Sequence, residues 1–130
     1  MKKIIFIIIM FFPIVFQYGC KHATEPAEVV YVSYEIGNDF QDDFVILTLD
    51  GGILLESIVT TNYTLSLAWS SGLQKLSRKN HILNFFVVEY GVQKDFQIDT
   101  ANDTSTVLIS FHKNTNQIDI RQIKGRTIRD

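Results

Sequence analysis

A single cysteine leaves no partner for an intrachain disulfide and too few thiolates for a cysteine-built zinc site. Charge of one sign is equally lacking. Twelve basic side chains face fourteen acidic ones, so there is no basic excess of the kind that binds nucleic acid. The three histidines, His22, His81 and His112, show neither H-x-H nor H-E-x-x-H spacing. No D-x-D-x-D-G ladder, G-x-S-x-G elbow or phosphate-cradling glycine loop occurs. A sustained 3.6-residue hydrophobic period is missing too, which excludes a helical bundle. At 130 residues the chain is long enough for one domain with a real core.

What is present falls into two segments. The first opens with Lys2-Lys3, runs apolar from Ile4 to Phe16, and ends in Gln17-Tyr18-Gly19-Cys20. That apolar run of 13 residues is shorter than the roughly 20 that a membrane-spanning helix needs, and Pro13 interrupts it. A basic end, a short apolar run and a small residue form the layout of a secretory signal peptide. With Cys20 directly after Gly19, the segment resembles a bacterial lipoprotein signal, although Gln17 stands where such signals usually carry an aliphatic residue. The resemblance implies a signal helix over residues 1–19, cleavage before Cys20, and covalent lipid on that cysteine. Two or more acyl chains hold a protein firmly on a membrane. Residues 20–28, small, polar and proline-containing, then read as a tether. Lys21 replaces the Asp that marks inner-membrane retention in such lipoproteins, which points to the outer membrane of a bacterial cell envelope.

From Val29 onward the pattern has period two. Val30, Val32, Tyr34 and Ile36 alternate with Tyr31, Ser33 and Glu35. Val45, Leu47 and Leu49 lead into Asp50-Gly51-Gly52, a strong tight-turn signal, and Ile53 to Val59 form the return strand. Leu65, Leu67 and Trp69 suggest a further strand, followed by a polar loop from Ser70 to Asn80 with at most one helical turn. Ile82 to Tyr90 is nearly continuous in apolar residues and reads as a central strand covered on both faces. Val92 to Ile98, Val107 to Phe111 and Ile118 to Ile123 complete the set. The expectation is an all-β, antiparallel immunoglobulin-like sandwich of seven or eight strands over residues 29–124, with residues 125–130 as a flexible tail. Phe44 to Val59 looks like the central hairpin of small immunoglobulin-like bacterial modules. Leu76 to Phe85 resembles the L-x-x-G-x-H-x-L-x-V lead into a central strand of fibronectin-like and PEGA-type domains. Neither resemblance carries a catalytic residue across.

Candidate chemistry is sparse. Asp39, Asp42 and Asp43 form an acidic loop, as do Asp99, Asn102 and Asp103, but acids at strand ends commonly serve local turns. Ser70-Ser71-Gly72 offers hydroxyls without a partnered base. The basic run Arg121, Lys124, Arg126 and Arg129 reads as a solvated tail. Aromatics say more: Phe40, Tyr63, Trp69 and Tyr90 are candidates for a face that contacts sugar or protein, with burial in the core as the competing account. No catalytic residue, metal ligand or cofactor is assigned beyond the lipid on Cys20. The expected partners are the membrane, through that lipid, and an envelope protein or glycan; no nucleic acid is expected. The function expected is non-catalytic binding or scaffolding. The alternatives are a small periplasmic hydrolase or inhibitor, or a structural subunit that pairs strands with a partner.

Overall fold

The computed structural model describes residues 28–126. The signal segment, Cys20, His22, nearly all of the tether and Arg129 lie outside the described residues. Eight strands follow in order: β1 (Val29–Ile36), β2 (Asp43–Leu49), β3 (Gly52–Val59), β4 (Trp69–Ser77), β5 (His81–Val87), β6 (Val92–Ile98), β7 (Thr104–His112) and β8 (Gln117–Lys124). They form two four-stranded sheets, β4-β1-β7-β8 and β3-β2-β5-β6. Every pairing is antiparallel except β1 with β7, which run parallel. The chain is a β-sandwich.

The alternation in the sequence sets which side chains meet between the sheets. Val30, Val32, Tyr34 and Ile36 of β1 face inward, against Val45 and Leu47 of β2 and Leu83, Phe85 and Val87 of β5. Val107, Ile109, Phe111, Ile118 and Ile120 complete that layer from β7 and β8. Each side chain this size contributes roughly 1.5–3 kcal/mol when fully buried, so the pattern itself is the main source of stability. The β2–β3 turn forms as its sequence demands. Asp50 (φ 50°) and Gly51 (φ 83°) both take the left-handed conformation of the tight hairpin turn.

Three expectations are corrected. Residues 63–66 are turns, not a strand: Asn62 and Leu67 form only an isolated bridge, and Leu65 is exposed. The strand comes later, as β4, in the segment expected to be a polar loop. It forms because β1 offers it a backbone ladder from Val29↔Ser77 to Ile36↔Trp69. As the edge of its sheet it needs little apolar surface, and Leu76 is its one buried hydrophobic residue. Its glycine sits where the ladder slips between Ser33 and Glu35. Gly72 has a φ of 66°, and Ser71 Oγ accepts a hydrogen bond from the Tyr34 N–H at 2.9 Å. Finally, β5 is central but covered on one face only, since Ile82 on its outer side is exposed. It stops at Val87, and Val88–Tyr90 form a single 3₁₀ turn closed by Gly91 in the left-handed region.

The strand directions divide the molecule into two ends. At the proximal end, where the chain enters β1, lie the turns at 50–51 and 78–80 and the loop at 99–103. At the distal end lie the segments 37–42, 60–68, 88–91 and 113–116.

Candidate functional site

The proximal end is pinned by a cluster that draws three turns together. His81, at the start of β5, is buried, and its Nδ1 lies 2.5 Å from Asp50 Oδ2 in the β2–β3 turn. Asp50 Oδ1 accepts the Ile82 N–H at 2.9 Å. The His81 bond first, and the Ile82 bond next, hold the Asp50 carboxyl below its ordinary range. On the other side of the ring, Nε2 lies 3.0 Å from Ser77 Oγ and 2.8 Å from the Ser77 carbonyl oxygen. Arg78 adds a pair with Asp103 of the β6–β7 loop at 2.5 Å. Its backbone N–H bonds the Glu28 carbonyl at 2.7 Å.

Serine, histidine and aspartate in this order are the residue types of a charge-relay triad, but the Nε2 that would serve Ser77 Oγ also faces the Ser77 carbonyl oxygen. A carbonyl oxygen only accepts, so the 2.8 Å contact is a hydrogen bond only if Nε2 carries a hydrogen. On the other side of the ring, Nδ1 faces the Asp50 carboxylate. The cluster is a clasp between turns. Nothing in the sequence signalled it: Asp50 was accounted for by its turn, and 31 positions separate it from His81.

At the distal end the candidate aromatics part company. Phe40 is completely buried. Its ring packs edge-on to Phe85 at 5.9 Å and near Phe111 at 6.2 Å, so it plugs the end of the core and offers no contact face. Thr61 fixes this plug from the opposite loop. Its Oγ1 donates to the Gly37 carbonyl at 2.7 Å and accepts the Phe40 N–H at 3.1 Å, while its own N–H bonds the Phe40 carbonyl at 2.8 Å. Trp69 is half-buried and packs against the core. Tyr90 rests edge-on against Phe111 at 5.0 Å and is 39% exposed, and Tyr63 is 72% exposed.

Those two tyrosines flank Lys113, which follows β7. Its ammonium bonds Asp43 Oδ2 at 3.0 Å, and Asp43 is itself buried and accepts the Gln41 N–H at 2.8 Å. The Asp43 hydrogen bond, and to a smaller degree the nearby Tyr90 and Tyr63, raise the Lys113 pKa above its ordinary range. Beside this pair an open groove of about 550 Å³ is lined by Asp39, Gln41, Tyr63, His112, Asn114 and neighbouring turn residues. A second, of about 580 Å³, adjoins it through His112 and Gln117 and runs along the β6 and β8 edges past Lys94 and Asp119.

The acidic loops serve their own turns. Asp39 (φ 71°) and Asp42 (φ 50°) occupy left-handed positions that aspartate tolerates, and Asp42 Oδ1 accepts the Thr60 hydroxyl at 3.0 Å. Asp99 Oδ1 accepts the Ala101 N–H at 2.9 Å. Among the described residues no group of three or more potential ligands converges as a metal site would require. Among them, also, no helix is long and apolar enough to cross a membrane. No protein-family model matches the chain, and no curated protein matches it.

Proposed function

We propose that the chain is a lipid-anchored bacterial envelope protein, held by Cys20 and placed at the outer membrane. Its immunoglobulin-like sandwich acts as a non-catalytic binding module. The observation that carries this reading is the position of the tyrosine groove. β1 begins at the proximal end, next to the turns clasped by His81, and spans roughly 26 Å at about 3.3 Å per residue before reaching the distal loops. A chain tethered through the residues before β1 would present Tyr63, His112 and Asn114 away from the membrane, where an extended ligand is reached without steric conflict.

The lining favours a glycan over a protein. A protein interface core is depleted in charge and closely packed. This groove is open and rich in carboxylate, amide and imidazole groups, with one tyrosine ring lying at its side. Such groups suit a polyhydroxylated ligand, whose hydroxyls donate and accept while its ring lies on the aromatic face.

Two arms test the reading. Metabolic labelling with a palmitate analogue, with membrane fractionation, should label the wild type and leave Cys20→Ala unlabelled and soluble. An unlabelled, soluble wild type would remove the anchor. Sedimentation of the full chain with envelope polysaccharides should show binding that Tyr63→Ala abolishes. A flat profile across the polysaccharides would remove the glycan and leave a protein partner to be sought.

A further inference from the structure

The second groove lies where β6 and β8, open edges of opposite sheets, come together. On β6 the alternation sends Val92, Phe96 and Ile98 toward the core, and Lys94 occupies the same side of the strand. Its stem therefore reaches across the gap between the sheets, and its ammonium donates to the Ile118 carbonyl of β8 at 3.2 Å. An ammonium carries three donors, so two remain for another acceptor. Among the described residues no carboxylate lies within ion-pair distance of Lys94. The acids nearest to it along the strands face away. Asp95 lies on the outer side of β6, where Asn84 Nδ2 donates to it at 2.8 Å. Ile118 and Ile120 are buried, so Asp119 takes the outer side of β8 and borders a separate cavity with Arg121. The second groove thus holds an ammonium that no protein anion neutralises.

The first groove is the reverse in charge. Its own ammonium, Lys113, is paired with the buried Asp43, and Asp39 adds a carboxylate to the lining that holds Tyr63. His112 and Gln117 line both grooves, so one ligand can lie across the two. We propose that this ligand is an acidic glycan bound in one direction, with an uncharged ring against Tyr63 and an anionic substituent on Lys94. The inference rests on the glycan reading of the tyrosine groove and adds the ligand's charge and polarity. Asp39 opposes the reversed placement, which would bring an anion beside a carboxylate, whereas the hydroxyls of a neutral ring can donate to it. Lysine acts as a point charge and not as a planar fork, so it takes a carboxylate or a phosphate.

The test uses the full chain and acidic envelope polysaccharides in paired forms, native and neutralised. One arm reduces uronic carboxyls to hydroxymethyl groups, and the other removes phosphate enzymatically. In a sedimentation series the wild type should bind the native form about tenfold more tightly than its neutral counterpart, and added salt should close the gap. The arm that shows the gap identifies the anion. Lys94→Gln keeps a donor for the Ile118 carbonyl, so it should lose the gap while binding the neutral form as the wild type does. Lys94→Arg should retain the gap, and Tyr63→Ala should weaken both forms alike. Equal binding of the paired forms by the wild type, a comparison that needs no variant, would overturn the proposal and leave the glycan reading standing. No binding of either form would remove both. Native and neutral binding lost together in Lys94→Gln would also overturn it, making Lys94 a seal between the sheets.

Discussion

The proximal end joins its turns through an imidazole poised between two acceptors, whereas the distal end joins its loops through an aromatic plug with an ammonium–carboxylate pair above it. At the first, Asp50 is the titrating partner and its carboxyl is held below the ordinary value near 3.8. At the second, Lys113 is held above its ordinary value near 10.5. The difference teaches that the two ends should fail at opposite extremes of pH. A depressed carboxyl contributes stability that is present above its ordinary value and is lost as pH falls through the lower, folded one. A raised ammonium contributes stability that is complete below its ordinary value and is lost as pH climbs past it. Both groups are solvent-facing, so each effect is a modest slope and not a cliff.

The comparison breaks most sharply at Phe40. If the plug holds the distal end, Phe40→Ala should lower the unfolding free energy by about 3–5 kcal/mol, the usual cost of emptying a buried aromatic site. Chemical denaturation measures it. A loss under about 1 kcal/mol would mean that Thr61 and the loop backbone hold this end without the ring.

His81 comes next. His81→Leu keeps the bulk of the ring and removes its hydrogen bonds to Asp50 and Ser77, one of them to a carboxylate, which sets the expected loss at about 2 kcal/mol. The same variant sharpens the pH argument. Denaturation midpoints of the wild type should fall more steeply below pH 3.8 than those of His81→Leu, because protonating the Asp50 carboxyl costs the wild type the bond that depresses it. Parallel curves would show that the clasp is not the source of the acid slope.

The fold was legible wherever burial imposed alternation. β1, β2, β7 and β8 each present apolar residues at every second position, and the Asp50-Gly51 turn announces itself because few other dipeptides accept two positive φ angles. β4 was hidden because an edge strand is specified by its neighbour's backbone and not by its own hydrophobicity. Ser70, Gln74 and Lys75 look like loop residues and are ladder residues. Leu65 and Leu67 misled for the converse reason, since short apolar alternation on an exposed turn carries no burial. Of the candidate site, Tyr63 and Tyr90 could be named but not placed together. What joins them is Lys113, and its partner Asp43 lies in another strand 70 positions away, a proximity that only the topology creates. Phe40 is aromatic, and that alone does not tell a plug from a platform.

Between the two ends, Tyr34 offers a smaller effect of opposite sign. Its hydroxyl is buried without a hydrogen-bond partner, and burial, with the charge of Asp50 added, pushes its pKa up to about 12. Leaving such a group unpaired costs about 1–3 kcal/mol. Tyr34→Phe removes the oxygen and keeps the ring, so it should stabilise the fold by about 1 kcal/mol, read as a rise in denaturation midpoint. A destabilised variant would show that the hydroxyl is satisfied in solution.

The smallest effect on stability belongs to Tyr63, and there the contrast between the ends becomes functional. Its ring is mostly exposed and sits on a loop whose backbone bonds are made by Asn62, Leu67 and Thr64 without it. Tyr63→Ala should therefore move the unfolding free energy by less than about 0.5 kcal/mol, as surface substitutions generally do. An aromatic anchor at a binding groove behaves differently, and its loss should weaken ligand affinity at least about tenfold, or 1.4 kcal/mol. Titrating wild type and Tyr63→Ala with the same polysaccharide, alongside their denaturation curves, separates the two quantities. Binding lost with the fold intact assigns the distal end to recognition. Binding and stability that fall together would make Tyr63 part of the scaffold, and the two ends would then differ only in how they are closed.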